Sequence, residues 1–247
     1  MRRIFVVLPV STEKWIKETK ECVSKVISGA TEVHVTNLPG APTSIETYYD
    51  SAKAASLVVD AIVKAEMEGY NAAVIGCFED PGLHASRELV SMPVLGIGET
   101  SIVIASILGK RIAIISTGRN SRAVYERKMI EMGLYRKLAY SCGIELPVLK
   151  LDEDREAVIR LLVDEAENAI KNFRAEVIVL GCGGMIGLHS KLQEILKVPV
   201  IDPLLSTIKM TELIIDLKLT HSKAWIYNIP RHKWFQFKGS YLLLDSE

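Results

Sequence analysis

The sequence predicts an α/β protein of two similar lobes, each a parallel sheet wound by helices, with the reactive site in the cleft between them. Two observations predict it. Apolar, β-branched runs alternate with amphipathic helical stretches from one end of the chain to the other, the pattern of helix-covered parallel sheets. The second observation is a repeat. Residues 74 to 84 read VIGCFEDPGLH and residues 179 to 189 read VLGCGGMIGLH, sharing Val74/Val179, Gly76/Gly181, Cys77/Cys182, Gly82/Gly187, Leu83/Leu188 and His84/His189 at a shift of 105. The match resumes at Pro93-Val94 and Pro199-Val200, while Arg3-Ile4 and Arg111-Ile112 open equivalent apolar runs. A repeat of this size implies two lobes related by a pseudo-two-fold axis. Residues 1–98 are expected to form the first lobe, completed by 210–247, and 99–209 the second.

Taken in order, RIFVVL (3–8) is apolar without alternation and reads as a strand buried on both faces. A helix is expected from about Glu13 to Ile27, with Trp15, Cys22 and Val23 on its apolar side and Gly29 as its stop. TEVHVTNL is a second strand, PGAPTSI a loop, and 46–68 a long helix ending at Gly69. AAVIGC is a third strand with Cys77 at its carboxyl end; FEDPG is a turn, HASRELV a short helix, PVLGIG a fourth strand and SIVIASILG a helix. The second half replays this order. RIAIIST is a strand, 119–133 a helix, IELPVLKL a strand despite Pro147, and 153–172 a long helix. EVIVLGC is then the strand that ends at Cys182, followed by the GGMIG turn, the short helix KLQEIL, the strand VPVID and the helix TIKMTELIIDL. Residues after about 219 have no counterpart in the first half and are expected to close the fold.

Composition excludes several classes of function. Thirty basic side chains balance thirty acidic ones, so there is no electrostatic footprint for nucleic acid or an anionic membrane. The first apolar run, Ile4 to Val10, is too short to span a bilayer, lacks a small-residue cleavage site and reads as a strand, not a signal peptide. The four cysteines (Cys22, Cys77, Cys142, Cys182) show neither C-x-x-C spacing nor disulfide density, which points to a reducing, cytoplasmic setting.

Cys77 and Cys182 each follow an apolar strand and precede a glycine-containing turn into a helix. In parallel α/β sheets ligands collect at those carboxyl ends. Backbone N–H groups and a helix start there would favour a thiolate and supply donors to an oxyanion. Two such units face to face put a base on one side of a small molecule and an acid on the other. That arrangement suits removal of a proton from a stereocentre and its return from the opposite face. The plain alternative is a pair of packing cysteines, since free cysteine is often buried. His84 and His189 sit near helix starts, as auxiliary proton carriers or as local caps. The hydroxyls of Ser11, Thr12, Ser116 and Thr117 follow the first strand of each half and can bind substrate or cap the next helix. GCGGMIG is neither a P-loop nor a dinucleotide fingerprint. A metal held by the two cysteines and two histidines lacks a short-range ligand pair to anchor it. Cys22 reads as structural, and Cys142, in a connection without a repeat partner, as incidental.

At these residues the sequence resembles the aspartate/glutamate/hydantoin racemase superfamily, and within it the hydantoin and allantoin racemase branch. PTSIETYYD (42–50), IGCFEDPGLHASREL (75–89), VLGIGETS (94–101), VLGCGGM (179–185), VPVIDPLLSTIK (198–209) and LTHSKAW (219–225) carry the likeness over most of the chain. The resemblance implies two flavodoxin-like lobes with the active site between them, no cofactor, a homo-oligomer, and Cys77 and Cys182 as the acid/base pair. Around them Pro9, Ser11, Thr12, Phe78, Thr117, Gly183 and Gly184 are the expected substrate contacts, with the Phe78 and Gly183 N–H groups aimed at the oxyanion. The chain departs from the branch at Leu8-Pro9-Val10-Ser11-Thr12, where the branch has N-P-N-[ST], and at Gly183, where alanine is common. The expected substrate is a hydantoin-type ring; amino-acid racemisation, maleate isomerisation and a silent metabolite-binding protein are the alternatives.

Overall fold

The structure, a computed structural model, describes residues 1–228. In chain order the first half holds β1 (Arg2–Val7), α1 (Ile16–Ser24), β2 (Thr31–Thr36), α2 (Tyr48–Met67), β3 (Ala72–Ile75), α3 (Leu83–Leu89), β4 (Val94–Gly96) and α4 (Ile97–Leu108). The second half holds β5 (Ile112–Ser116), α5 (Ser121–Glu131), β6 (Leu138–Gly143), α6 (Arg155–Phe173), β7 (Val177–Leu180), α7 (His189–Leu196), β8 (Val200–Ile201) and α8 (Pro203–Asp216). Two four-stranded parallel sheets result, ordered β2-β1-β3-β4 and β6-β5-β7-β8. β3, β5 and β7 are buried along their whole length, which explains their unbroken apolar runs.

Local chemistry sets the element ends. Thr47 caps α2 by accepting from the Asp50 N–H while the Asp50 carboxylate accepts from Thr47, a reciprocal box that starts the helix two residues later than expected. α8 starts earlier than expected, because the Asp202 carboxylate accepts from the Leu204 and Leu205 N–H groups and Pro203 stands at the first helical position. One strand assignment is overturned. IELPVLKL is a loop with a single 3₁₀ turn at Val148–Lys150, and the strand is the preceding LAYSCG, β6. Pro147 has no N–H for a ladder, whereas β6 is a half-buried edge strand whose small and polar residues give little apolar signal. Cys142 therefore lies in β6, with its sulfur 3.5 Å from Glu165 Oε2, and not in a connection.

The lobes share one core. An apolar cluster runs from Ile4, Val6 and Leu8 through Trp15 and Ile97 to Ile115, Leu180 and Met185. The final helix of each half crosses over: α4 packs on β7 and on α8, and α8 packs on β1, β3 and β4. Beyond α8 the chain returns over the first lobe, where His221 Nε2 lies 2.9 Å from the Val94 nitrogen and Lys223 donates to the Glu88 carbonyl at 3.0 Å. The remainder of the expected closing segment, 229–247, lies outside the described residues. Among the described residues no helix is long and apolar enough to cross a membrane.

Candidate active site

Each cysteine begins a tight turn at the carboxyl edge of its sheet. In the first lobe the Gly76 N–H donates to the Val7 carbonyl at 2.8 Å, and the turn closes with Asp80 N–H to Cys77 O at 3.0 Å. In the second, the Gly181 N–H donates to Ile115 O at 2.7 Å and the Met185 N–H to Cys182 O at 3.1 Å. Both turns pass through a left-handed glycine, Gly82 (φ 77°) and Gly187 (φ 80°). A Cβ at Gly82 would also stand 2.7 Å from the Ala55 carbonyl oxygen, so glycine is required there twice over. The repeat is thus a repeat of backbone geometry.

A carboxylate anchors each turn to the helix that follows the fourth strand. Asp80 accepts from the Gly98 and Glu99 N–H groups at 2.9 and 2.8 Å and from Lys128 Nζ at 2.7 Å. Asp202 accepts from the Gly187 N–H at 2.7 Å while capping α8. Where the turns meet, a Cβ on Gly183 would lie 2.8 Å from the Gly76 carbonyl oxygen of the other lobe. The two cysteine turns therefore abut.

Between them lies a cleft of about 200 Å³ lined by both thiols. Pro9, Phe78, Thr117, Gly183 and Gly184 line it as expected; Ser11 and Thr12 do not. The reason is register. Ile4 pairs with Ala72 as Ile112 pairs with Val177, so the sheet equivalents of Ser116 and Thr117 are Leu8 and Pro9. Ser11 lies further along, bonded to the Pro42 carbonyl and the Asn37 amide, and the Thr12 hydroxyl accepts from the Lys14 N–H at 3.3 Å. Of the hydroxyls expected at the ends of the two first strands, only those of Ser116 and Thr117 therefore reach the cleft. Neither histidine lines it. His84 Nδ1 lies 3.0 Å from the Tyr227 hydroxyl on the surface, and His189 Nδ1 lies 3.5 Å from Asp202. The four-residue metal constellation is not assembled.

The cleft also holds residues the sequence reading passed over, chief among them Trp15, Glu46, Glu79, Asn120 and Tyr125. Glu79 stood in plain view, inside the C-F-E-D-P-G block. Tyr125 gave no local signal: its hydroxyl lies 2.8 Å from both Ser116 Oγ and the Gly181 carbonyl oxygen. Ser116 in turn donates to that carbonyl at 2.7 Å, so the pair braces the residue before Cys182.

The expectation of low thiol pKa values fails. Both cysteines are half-buried. Burial pushes Cys182 up to about 11, opposed by the Gly184 and Met185 N–H groups; Glu46 and Asp152 add to the rise. Burial raises Cys77 further, with the Glu79 N–H opposing and the Glu79 carboxylate reinforcing it. Desolvation of the anion outweighs the short turn's dipoles. The donors at the sulfurs are the N–H groups of Glu79, Gly184 and Met185. Alkylation tests this ordering. With iodoacetamide the modification rate should rise about tenfold per pH unit between pH 7 and 10, since only the thiolate reacts, and peptide mapping should find Cys182 labelled before Cys77. A plateau below pH 9 would contradict it.

Comparison with known proteins agrees with this architecture. The family model described as Asp/Glu/Hydantoin racemase matches residues 4–211. The chain is 36% identical to a hydantoin racemase of Rhizobium meliloti over 93% of its own length and 95% of the relative's. It is 33% identical to a hydantoin racemase of Pseudomonas sp. (strain NS671), covering 94% and 93% respectively. The solved structure of an allantoin racemase from Klebsiella pneumoniae superposes with a TM-score of 0.89 at 30% identity, covering 94% of each chain. The chain belongs to the Asp/Glu/hydantoin racemase family, and among isomerases it is a racemase of that superfamily.

Proposed function

We propose that the chain is a cofactor-independent racemase of a hydantoin-type ring, a 5-substituted hydantoin or allantoin, with Cys77 and Cys182 as the two bases. The observation that carries this reading is the lining of the cleft: two thiols at equivalent strand ends, two carboxylates, Glu46 and Glu79, and, among the described residues, no lysine or arginine. The two carboxylates of aspartate, glutamate or maleate would find no counter-charge among the described lining residues and two like charges. A neutral ring avoids both costs. Its C5–H is acidified by the C4 carbonyl and the neighbouring nitrogen, so weakly ionised thiols suffice. A volume near 200 Å³, several times the roughly 30 Å³ share of one water, suits a five-membered ring with a modest substituent.

The step conserves protons. Cys182, with two backbone donors against one at Cys77, ionises first. Its thiolate takes the C5 proton from one face, and the C–H electron pair moves onto the C4 oxygen as an enolate. Cys77 then gives its own proton to C5 from the opposite face and becomes the thiolate. The product has inverted configuration, and solvent exchange between the sulfurs restores the starting state. For the mirror-image substrate the roles exchange. Family kinship supports the ring class, since two relatives are hydantoin racemases and a structural neighbour is an allantoin racemase.

The test is incubation of each pure enantiomer of 5-methylhydantoin, and separately of allantoin, aspartate and maleate, in heavy water near pH 7 with a protein-free control. Loss of the C5–H resonance together with loss of optical purity is the expected result for a ring substrate. Turnover of aspartate or maleate alone would replace this reading with an amino-acid racemase or an isomerase. Binding without exchange, seen only as a raised melting temperature, would leave a silent binding protein.

A further inference from the structure

Trp15 carries a hydrogen-bond donor with nothing to receive it. The side chain is 6% exposed, it lines the cleft, and Nε1 has no hydrogen-bond partner among the described residues. An indole N–H can only donate, and buried donors are rarely left unmet. The nitrogen also looks onto the reacting centre. The point where a Cβ on Gly184 would stand lies 3.5 Å from Trp15 Nε1 and 3.7 Å from the Cys182 sulfur. Leu151 Cδ1 stands 2.9 Å from the same point, so even a methyl group at 184 would crowd it, and glycine there lets the indole N–H and the thiol lie against one stretch of backbone.

We propose that Trp15 is a further catalytic residue, whose Nε1–H donates to the ring carbonyl bonded to the reacting carbon and holds the oxygen on which the enolate charge collects. The proposal rests on the ring reading above and adds an orientation to it. C5 must approach the Cys182 sulfur to about 3–3.5 Å for proton transfer. The atoms nearest the indole are then those bonded to C5. Of its two ring neighbours only the C4 carbonyl offers an acceptor; N1 carries a hydrogen and would leave the indole unmet. Recognition therefore demands a carbonyl next to the reacting carbon, and turns that carbonyl toward α1 and the N1–H away from it. A neutral donor suits this oxygen, because it strengthens its bond as charge develops without attracting a carboxylate in the ground state.

Two measurements test it. Phe in place of Trp15 keeps an aromatic wall and removes the N–H. W15F is expected to lower kcat for C5–H exchange of 5-methylhydantoin about 100-fold, the scale of losing one oxyanion donor, while KM moves less than threefold. A role confined to packing would raise KM and lower the melting temperature instead. The second measurement needs no turnover. The chain has three tryptophans, and Trp225 is 88% exposed. In the W225F/W234F variant the only indole is Trp15, read by fluorescence. Saturation with 5,5-dimethylhydantoin, which has the C4 carbonyl but no C5–H, should shift its emission to longer wavelength. Saturation with 2-imidazolidinone, which lacks that carbonyl, should not. A W15F kcat within threefold of wild type, or unmoved emission at saturating dimethylhydantoin, overturns the proposal and leaves the ring reading standing. If wild-type protein exchanges no hydantoin, the ring reading falls, and the emission titration alone decides for or against the donor.

Discussion

Serine in place of Cys77 or Cys182 is expected to abolish racemisation and to divide hydrogen exchange between the two variants by enantiomer. Each cysteine lines the cleft from its own lobe, so in the proposed two-base mechanism each serves one face of the ring. A serine hydroxyl is a far weaker acid than even a thiol raised to about 11, so it neither gives nor takes the C5 proton at a useful rate. Inversion needs both groups, and should fall by at least about 10³-fold in either variant, within the range of general acid–base contributions. Exchange needs only one. The variant that keeps Cys182 can remove the proton facing it and return deuterium to the same face, retaining configuration. C77S should therefore exchange one enantiomer of 5-methylhydantoin and C182S the other, both without inversion. Proton NMR of each pure enantiomer in heavy water, with chiral chromatography alongside, reads the two processes separately. Exchange of both enantiomers by a single variant would mean one mobile base and would end the two-base reading.

The parts of this site that were legible in the sequence are the parts made by local backbone. Strand, cysteine, glycine turn and helix follow one another without gaps, so the repeat displayed both catalytic candidates and the two-lobe plan together. What tertiary structure decides is not legible there. The sequence places Ser11 and Thr12, like Ser116 and Thr117, at the end of a first strand, but the ladder pairs Ile4 and Ile112 with equivalent partners and so matches Thr117 to Pro9. The equivalent openings Arg3-Ile4 and Arg111-Ile112 already carry that register; the hydroxyls of Ser11 and Thr12 simply lie three residues beyond it. The sequence pattern puts Trp15 on the apolar side of a helix beginning near Glu13; α1 begins at Ile16, and that shift leaves the indole at the helix mouth, lining the cleft. The turn by itself favours a thiolate, while burial sets the thiol pKa in the opposite direction. β6 was missed for the opposite reason: as an edge strand it buries too little to leave a pattern.

Alanine in place of Gly98 should act at a distance as a partial loss of Cys77. On propensity alone the change would be favourable, since alanine exceeds glycine by about 1 kcal/mol in a helix interior, and Gly98 lies in the first turn of α4. Packing reverses the sign. A Cβ there would stand 2.1 Å from the Phe78 carbonyl oxygen and 2.9 Å from Asp80 Oδ2, the same carboxylate that receives the Gly98 and Glu99 N–H groups. A backbone carbonyl cannot swing aside as a side-chain tip can, so the turn must retreat by roughly an ångström to regain ordinary contact distances. Overpacking of this kind costs about 1–3 kcal/mol, enough to outweigh the propensity gain and to appear as an earlier denaturant midpoint. The larger effect is catalytic. Phe78 follows Cys77 directly, so the retreat carries the thiol with it, and a misplacement of about 1 Å costs on the order of 100-fold. Cys182, held by its own turn and by Asp202, should stay in place. G98A is thus expected to lose inversion about 100-fold while retaining exchange of the same enantiomer that C77S exchanges, in a protein that still melts cooperatively. Equal loss of exchange for both enantiomers would point to a general loosening of the fold, and wild-type activity would mean that the Cys77 turn does not depend on its seat against α4.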